Sequence, residues 1–213
     1  MPANSRVAAV LFDFGGVLTA SPLEAFARYE QHNGLPAGLL RRINSTHPDV
    51  NAWAAFERRE VDEAGFCRLF EAEAAALGHQ VDARMVLQLL HGELRPQMVR
   101  AIHRLHEVGV RLALLTNNVA PIERPGPLDD LLDCFEVIVQ SSLEGVRKPE
   151  LAFYERALER LGRPPAAEVV FLDDLGGNLK AARAMGMTTI KVEDPTAALR
   201  ELSAVVGLDL ATP

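Results

Sequence analysis

Five short apolar runs recur along the chain, separated by longer stretches in which apolar and polar residues mix. Apolar runs without regular alternation are typical of strands that are buried on both faces, as in parallel sheets. We therefore predict five parallel strands, at residues 7–12, 110–115, 136–139, 169–172 and 188–192.

The stretches between the later runs carry apolar residues at helical spacing. The clearest helical patterns cover residues 98–108, 150–161 and 178–185, and each is followed by a glycine at the expected C-cap, namely Gly109, Gly162 and Gly186. Strands that alternate with helices in this way predict an α/β fold whose core is an open, Rossmann-like parallel sheet.

The segment 21–94 differs from the rest because it contains no clear strand. Its apolar residues recur at helical spacing, as in AWAAFERREVDEAGFCRLFEAEAAALG, and Arg95-Pro96 marks the return to the core. We therefore predict a helical subdomain at residues 21–94, inserted after the first strand of a core formed by residues 1–20 and 95–213.

Composition narrows the class of protein without adding chemistry. The 213 residues are 48% hydrophobic and 24% charged, which is ordinary for a globular protein, and the net charge of -7 gives no footprint for nucleic acid. The pattern contains neither a signal peptide nor a membrane span, so we expect a cytoplasmic protein. The two cysteines, Cys67 and Cys134, are interpreted as buried apolar residues, and the oligomeric state stays open.

Three of the predicted strands end in polar residues at equivalent positions. These are Asp13 after the first run, Thr116 and Asn117 after the second, and Asp173 and Asp174 after the fourth. Ligands of parallel α/β sheets bind just beyond the carboxyl ends of the strands, so these side chains should meet in one crevice. A further candidate, Lys148, lies in the loop EGVRKPE that follows residues 136–139.

These residues have the chemistry of a phosphoryl-transfer site. Three carboxylates close together require a cation, and hard oxygen ligands suit Mg²⁺. A magnesium ion with Lys148, Thr116 and the Asn117 amide would bind a dianionic phosphate. Asp13 would then attack phosphorus and form an aspartyl-phosphate that water hydrolyses, while the glycines after it let the backbone turn sharply.

The order of these residues resembles that of the haloacid dehalogenase superfamily. Its four motifs are matched by LFDFGGVLT, LLTNN, VRKPE and VVFLDDLGGN, so the resemblance covers nearly the whole chain. The stretch VVFLDDLGGNLKAARAMGMTTIKVED is similar to the amino-terminal phosphatase domain of soluble epoxide hydrolases and to bacterial sugar-phosphate phosphatases of the same branch. The resemblance implies a Mg²⁺-dependent phosphatase acting on a small phosphorylated metabolite.

Carried over residue by residue, the resemblance makes Asp13 the nucleophile and a metal ligand. Asp174 would bind the metal directly with Asp173 supporting it, and the backbone carbonyl of Gly15 would be a further ligand. Most phosphatases of the family have a second aspartate at the position of Gly15, which protonates the leaving oxygen and then activates water. Metal binding should survive with a glycine, whereas general acid catalysis from that position, typically about 10²–10⁴-fold, is lost. Good leaving groups, such as those of acyl phosphates or anomeric sugar phosphates, need this help least.

The other matched positions would serve the phosphate and the loop. Thr116 and Asn117 would hold the phosphate, Lys148 would neutralise the charge of the nucleophile and the phosphate, and Asn178 would steady the acidic loop. Residues 21–94 would be the helical cap that closes over the site, excludes water and selects the substrate.

Two alternatives stay open at this level. A 2-haloacid dehalogenase would use Asp13 to attack carbon, and that branch also lacks the second aspartate; it needs no metal, however, and does not normally carry a pair such as Asp173-Asp174. A catalytically impaired relative would instead bind a phosphate ligand or a partner without turnover. The sequence does not specify the substrate.

Overall fold

The core of the protein is a parallel sheet of five strands in the order β3-β2-β1-β4-β5. The computed structural model describes residues 7–90 and 92–211. The strands are β1 (Ala9–Phe12), β2 (Leu112–Thr116), β3 (Val137–Gln140), β4 (Val169–Asp173) and β5 (Thr188–Lys191). The predicted α/β fold is therefore confirmed, and β2 and β4 each extend one residue beyond the predicted run, so that Thr116 and Asp173 end their strands.

The central strand β1 lies between β2 and β4, with Phe12 paired to Leu114 on one side and to Leu172 on the other. Every residue of these three strands is buried. This burial explains the continuous apolar runs in the sequence, because a strand covered on both faces has no solvent-facing positions. The carboxyl ends of the three strands consequently lie side by side at one edge of the sheet.

Helices cover both faces of the sheet. The helices of the core are α6 (Pro96–Glu107), α7 (Asp129–Leu132), α8 (Ser141–Glu144), α9 (Leu151–Arg160), α10 (Gly176–Ala184) and α11 (Pro195–Val206). Val10 and Phe12 of β1 belong to the apolar cluster that contains α6 and α11, whereas Leu11 belongs to the cluster that contains α9 and α10. The glycines predicted to follow three helices do so with positive φ, at Gly109, Gly162 and Gly186.

Among the described residues between β1 and α6, five α-helices follow a helical turn at Phe14–Leu18. They are α1 (Leu23–His32), α2 (Leu39–Ser45), α3 (Ala52–Glu57), α4 (Glu63–Ala76) and α5 (Ala83–Gln88). These helices enclose an apolar cluster of their own, in which Phe66 packs on Trp53, Phe56 and Phe70 with ring centroids 4.6, 4.8 and 5.3 Å away. The division of the chain into two domains at residues 20/21 and 94/95 stays a prediction.

The two chain crossings between this helical segment and the sheet run side by side. Thr19 and Leu94 form an antiparallel bridge, the Ala20 N–H donates to the Glu93 carbonyl at 2.9 Å, and a Cβ on Gly92 would lie 2.5 Å from the Ala20 carbonyl oxygen. Both ends of the helical segment are thus held close to the loop that follows β1. In the described ranges, every helix falls short of the length and apolar character needed to cross a bilayer.

Candidate active site

The loop after β1 positions Asp13 at the carboxyl edge of the sheet. The Asp13 N–H donates to the Leu172 carbonyl at 2.9 Å, which keeps its backbone in line with β4. A single wide turn, Phe14–Leu18, follows directly, and the Phe14 N–H donates to Asp13 Oδ1 at 2.6 Å. The carboxylate is therefore oriented by the turn that its own strand leads into.

A buried lysine connects the first and fourth strand ends. Lys148 is 1% exposed, and its Nζ lies 2.7 Å from Asp13 Oδ1 and 2.8 Å from Asp173 Oδ2. Its ammonium also lies 5.5 Å from the centroid of the Phe171 ring. A lysine is almost never fully buried without a charged partner, and here two carboxylates provide that partner. Asp13, Lys148 and Asp173 thus lie together in one cluster.

Asp173 is held from several sides, while Asp174 lies at the edge of the cluster. Asp173 Oδ1 accepts from the Leu175 N–H at 2.8 Å, and Asn178 Nδ2 lies 3.0 Å from both Asp173 oxygens. Asn178 therefore contacts the acidic loop, and the supporting role assigned to it stays a prediction. Asp13, Asp173 and Asp174 each offer one carboxylate oxygen, and these oxygens lie within 4.8 Å of one another.

The electrostatics of the cluster follow from an excess of negative charge in a buried place. Burial raises the pKa of Asp13 well above its ordinary value, with Lys148 opposing and the other carboxylates adding to the rise. Burial and the neighbouring Asp173 raise the pKa of Asp174 to about 6. Burial alone would lower the pKa of Lys148, but the carboxylates of Asp13 and Asp173 outweigh it and raise that pKa, so the lysine stays charged.

The donor set fits a hard divalent cation. Three carboxylates face one ammonium, so two negative charges are left without a positive partner when all three acids are ionised. A site built from carboxylate oxygens suits Mg²⁺, which usually takes only one or two protein carboxylates and leaves other positions for water and phosphate. Asp13 and Asp174 are the residues that would hold it, with Asp173 occupied by Lys148 and Asn178.

The two glycines after Asp13 have different structural requirements. Gly16 has a φ of 75°, and a Cβ on it would lie 2.2 Å from Asp174 Oδ2, so the backbone itself packs against this carboxylate. Gly15 has φ -70° and ψ 131°, which any residue adopts, and no atom lies within 4 Å of where its Cβ would be. The fold therefore requires glycine at 16 and merely permits it at 15.

The second strand end brings Thr116 and Asn117 toward Lys148. Thr116 is 4% exposed and closes β2 opposite Gln140 of β3. The Asn117 side chain pairs with the backbone of Lys148, since its Nδ2 donates to the Lys148 carbonyl at 3.0 Å and its Oδ1 accepts from the Lys148 N–H at 2.9 Å. This amide fixes the loop at residues 144–150 that carries Lys148, called the lysine loop below. The second Nδ2 proton and the backbone N–H of Asn117 remain for the predicted contact with phosphate.

Two residues that support the site lie outside the sequence-based prediction. Tyr154 of α9 is fully buried and donates its hydroxyl proton to the Asn178 carbonyl at 2.9 Å. Asn118 organises the loop after β2, accepting from the Ser142 N–H at 3.1 Å and donating to Gln140 Oε1 at 2.9 Å. The doubled asparagine in LLTNN is a signal for Asn118, whereas Tyr154 in a helical pattern looks like any core residue.

Two ion pairs connect the helical segment to the residues on either side of Lys148. Arg147 Nε lies 2.5 Å from Oε2 of Glu57 in α3. Glu150 Oε1 lies 3.0 Å from Nη1 of Arg58, the residue that follows α3. Both arginines also donate to backbone carbonyls of the same segment, those of residues 48 and 49, at 2.9 and 2.7 Å. The lysine loop is therefore attached to the helical segment by two ion pairs. In one pair the loop supplies the cation, and in the other it supplies the anion.

A parallel sheet that collects an acidic cluster and a buried lysine at its carboxyl edge has the arrangement of an α/β protein with a polar ligand site at the strand ends. The chain belongs to the haloacid dehalogenase-like hydrolases, because the sequence model of that family matches residues 7–186. The predicted resemblance to this family is thereby confirmed.

Three curated relatives match more than nine-tenths of the chain. Acyl-CoA dehydrogenase family member 10 of Mus musculus is 35% identical over 209 residues, which are 95% of this chain and 19% of that protein. The sesquiterpene phosphatase of Aspergillus oryzae is 32% identical over 203 residues, covering 93% of this chain and 96% of that protein. Bifunctional epoxide hydrolase 2 of Sus scrofa is 30% identical, covering 95% of this chain and 39% of that protein. The chain thus spans the fungal phosphatase but only a minor part of the two mammalian proteins.

Solved structures confirm the fold. The HAD-hydrolase YfnB of Bacillus subtilis, bound to magnesium, superposes with a TM-score of 0.67 at 20% identity, covering 95% of this chain and 100% of that chain. The L-2-haloacid dehalogenase of Xanthobacter autotrophicus superposes with a TM-score of 0.57 at 18% identity, covering 93% and 84%. Both structures therefore share the fold of this chain.

Proposed function

We propose that this chain is a Mg²⁺-dependent phosphatase that hydrolyses a small phosphorylated metabolite through an aspartyl-phosphate at Asp13. The observation that carries the proposal is the buried triad of Asp13, Lys148 and Asp173, with Asp174 at its edge. The named activity of the fungal relative, a sesquiterpene phosphatase matched over nearly its full length, agrees with it. So does the magnesium bound by the Bacillus subtilis neighbour.

The residues of the chain account for the steps of the reaction. The Phe14 N–H and the Lys148 ammonium both contact Asp13 Oδ1 and fix the orientation of the carboxylate before substrate arrives. An oxygen of Asp13 attacks phosphorus, the bond from phosphorus to the ester oxygen breaks, and the alcohol leaves. Water then attacks the same phosphorus, which releases phosphate and regenerates the Asp13 carboxylate. Bound magnesium would supply charge neutralisation for the phosphoryl oxygens.

Charge on the phosphoryl group is met by groups that are already in place. Lys148 has three N–H donors and uses two of them on Asp13 and Asp173, so one remains for a phosphoryl oxygen. Thr116, at the end of the neighbouring strand, offers a hydroxyl from the same edge. Such preorganised donors lower the barrier most in a site from which water is excluded.

The absence of a side chain at Gly15 restricts the leaving group. No carboxyl at this position protonates the departing oxygen, so the proton comes from solvent. Substrates whose leaving oxygen is already a weak base, such as acyl, aryl or anomeric sugar phosphates, should therefore turn over faster than simple alkyl phosphates.

We further propose that the helical segment 21–94 acts as the cap. Its two crossings lie beside the loop after β1, and its α3 contacts the lysine loop through the Arg147–Glu57 ion pair. A cap attached in this way would exclude water while the lysine is in place and would supply the side chains that select the substrate.

The test is hydrolysis of a panel of acyl, sugar and aryl phosphates with and without Mg²⁺, comparing the wild type with Asp13→Asn. Asp82→Asn serves as a matched control, since Asp82 caps α5 on the surface and asparagine caps equally well. We expect Mg²⁺-dependent turnover that Asp13→Asn abolishes and Asp82→Asn preserves. Turnover that is absent from the wild type, or that persists in Asp13→Asn, would contradict the proposal.

A 2-haloacid dehalogenase is the second candidate, favoured by the glycine at position 15 and by the fold shared with the Xanthobacter autotrophicus enzyme. In that reaction Asp13 would attack carbon and halide would leave, and no divalent cation would be needed. The acidic pair Asp173-Asp174 argues against it, because two adjacent carboxylates beside Asp13 repel a carboxylate substrate. Halide release from 2-haloacids that resists EDTA would place this candidate first.

A further inference from the structure

Arg95 occupies the point where the chain returns from the helical segment to the core. Its N–H donates to the Leu18 carbonyl at 2.7 Å, and its carbonyl accepts from the N–H groups of Met98 and Val99 at 3.0 and 3.1 Å in the first turn of α6. The backbone of Arg95 is therefore fixed on both sides, next to the loop that carries Asp13.

The guanidinium of Arg95 lacks the partners that other enclosed arginines have. Its Nη1 is buried and, within residues 7–90 and 92–211, has no hydrogen-bond partner. Arg58 and Arg147, whose side chains are 13% and 15% exposed, are both paired with carboxylates. An arginine is always charged, so a buried donor without an acceptor is costly and needs an explanation.

The backbone of Arg95 lies beside the acidic cluster, but its side chain forms no ion pair with it. The Arg95 N–H donates to the carbonyl of Leu18, the last residue of the turn Phe14–Leu18 that follows Asp13. Across the described chain, no carboxylate oxygen lies within 4 Å of the Arg95 guanidinium as an ion pair. Gly16 of the same turn packs against Asp174, so Arg95 and Asp174 both contact the loop after Asp13.

The site lacks donors on this side. The ammonium of Lys148 lies between Asp13 and Asp173 and has one N–H left, and Gly15 contributes no side chain. A phosphate monoester brings several anionic oxygens, and the donors assigned to it so far (one proton of Lys148, the Thr116 hydroxyl and the remaining N–H groups of Asn117) all come from the end of β2 and the loop that carries Lys148. A guanidinium with an unused buried donor supplies what is missing.

We propose that Arg95 is an anion-binding residue of the active site, whose Nη1–H donates to an oxygen of the phosphate group of the substrate. The proposal rests on the proposed function in that the bound group is a phosphate. It concerns binding alone, so it can be tested on inorganic phosphate whether or not the chain turns over an ester.

The first experiment measures the affinity of inorganic phosphate for the Mg²⁺-loaded protein by titration calorimetry. Arg95→Gln is compared with the wild type and with Arg100→Gln, a control on the exposed side of the same helix. We expect Arg95→Gln to weaken phosphate binding about ten- to a hundredfold, the size of a hydrogen bond to a charged group, and Arg100→Gln to change it less than twofold. Arg95→Lys should recover part of the loss.

The second experiment separates a binding role from a structural one. If the Arg95 donor is paired only when phosphate is bound, it costs stability in the ligand-free protein. Ligand-free Arg95→Met should therefore melt at the same temperature as the wild type or higher. The same variant should lose the upward shift of the melting temperature that phosphate gives the wild type. An unchanged phosphate affinity in Arg95→Gln, a ligand-free Arg95→Met that melts several degrees lower, or a wild type that binds no phosphate would each overturn the proposal. Phosphate binding without ester turnover would instead refute the proposed function and leave Arg95 as a phosphate-binding residue.

Discussion

Replacement of Gly15 by aspartate would test how the chain releases its leaving group. The backbone at this position is extended, with φ -70° and ψ 131°, and a Cβ would meet no atom within 4 Å. Gly15→Asp therefore adds a carboxyl group without backbone strain and with open space around its Cβ. The substitution gives the site the acid that most phosphatases of the family carry.

The expected gain depends on the basicity of the leaving oxygen. General acid catalysis contributes about 10²–10⁴-fold, which corresponds to about 3–5 kcal/mol of barrier. A simple alkyl phosphate, whose leaving alkoxide is a strong base, should approach this full gain. An aryl phosphate with a weakly basic leaving oxygen should gain less than about tenfold, because little proton transfer is needed in its transition state.

The assay is kcat/KM at saturating Mg²⁺ for a series of alkyl and aryl phosphates, with the wild type, Gly15→Asp and Gly15→Asn. Asparagine has the size of aspartate but no acidic proton, so only the aspartate should flatten the dependence on the leaving group. Gly16→Ala provides the opposite control: its Cβ would overlap Asp174 Oδ2 at 2.2 Å, so it should lower activity by at least about a hundredfold. If Gly15→Asn raised the rates as much as Gly15→Asp, or if the gain were equal for all leaving groups, the reasoning would be wrong.

Two further predictions concern charges that the fold brings together. Lys148 is only 1% exposed and pairs with the carboxylates of Asp13 and Asp173. Because Lys148→Met leaves both carboxylates without a partner, the metal-free protein should lose about 3–5 kcal/mol of unfolding free energy, measured in urea. A loss below about 1 kcal/mol would show that the carboxylates do not depend on the lysine. For the Arg147–Glu57 pair, whose side chains are 15% and 14% exposed, a double-mutant cycle should give a coupling energy of about 1–3 kcal/mol. The exposed pair Arg163–Glu159, at 77% and 55%, should give about 0.3–0.5 kcal/mol in the same urea experiment, and equal couplings would refute the claim that the first pair is enclosed.

The fold was predictable because its strands are local signals. The buried runs need no knowledge of their partners, and the rule that ligands bind at the carboxyl ends of parallel strands joins Asp13, Thr116 and Asp173 without coordinates. The predicted ends of β2 and β4 fall one residue short of the observed ends. Strand pairing extends to Thr116 and Asp173, which pair with Gln140 of β3 and Lys191 of β5. Such bonds depend on residues distant in the chain.

The geometry of the site was less predictable, because it depends on contacts between distant residues. The sequence places Lys148 in a loop before a proline, where a lysine is ordinarily exposed, and only the fold encloses it between two acids. The Asn117 amide lies against the backbone of a residue 31 positions away, and Arg147 pairs with Glu57 across 90 positions. No periodicity or local motif records such pairings.

The adjacent glycines of the first motif show what a sequence alone leaves undecided. Both look like the same requirement for a permissive backbone, yet a side chain at Gly16 collides with Asp174, while one at Gly15 would meet open space. Packing therefore explains the glycine next to the Asp174 carboxylate but not the one at position 15. Neither the backbone conformation nor the space around a Cβ requires a glycine at 15. Because this position offers no acid, the substrate of the proposed phosphatase would carry a leaving oxygen that departs without a proton from it.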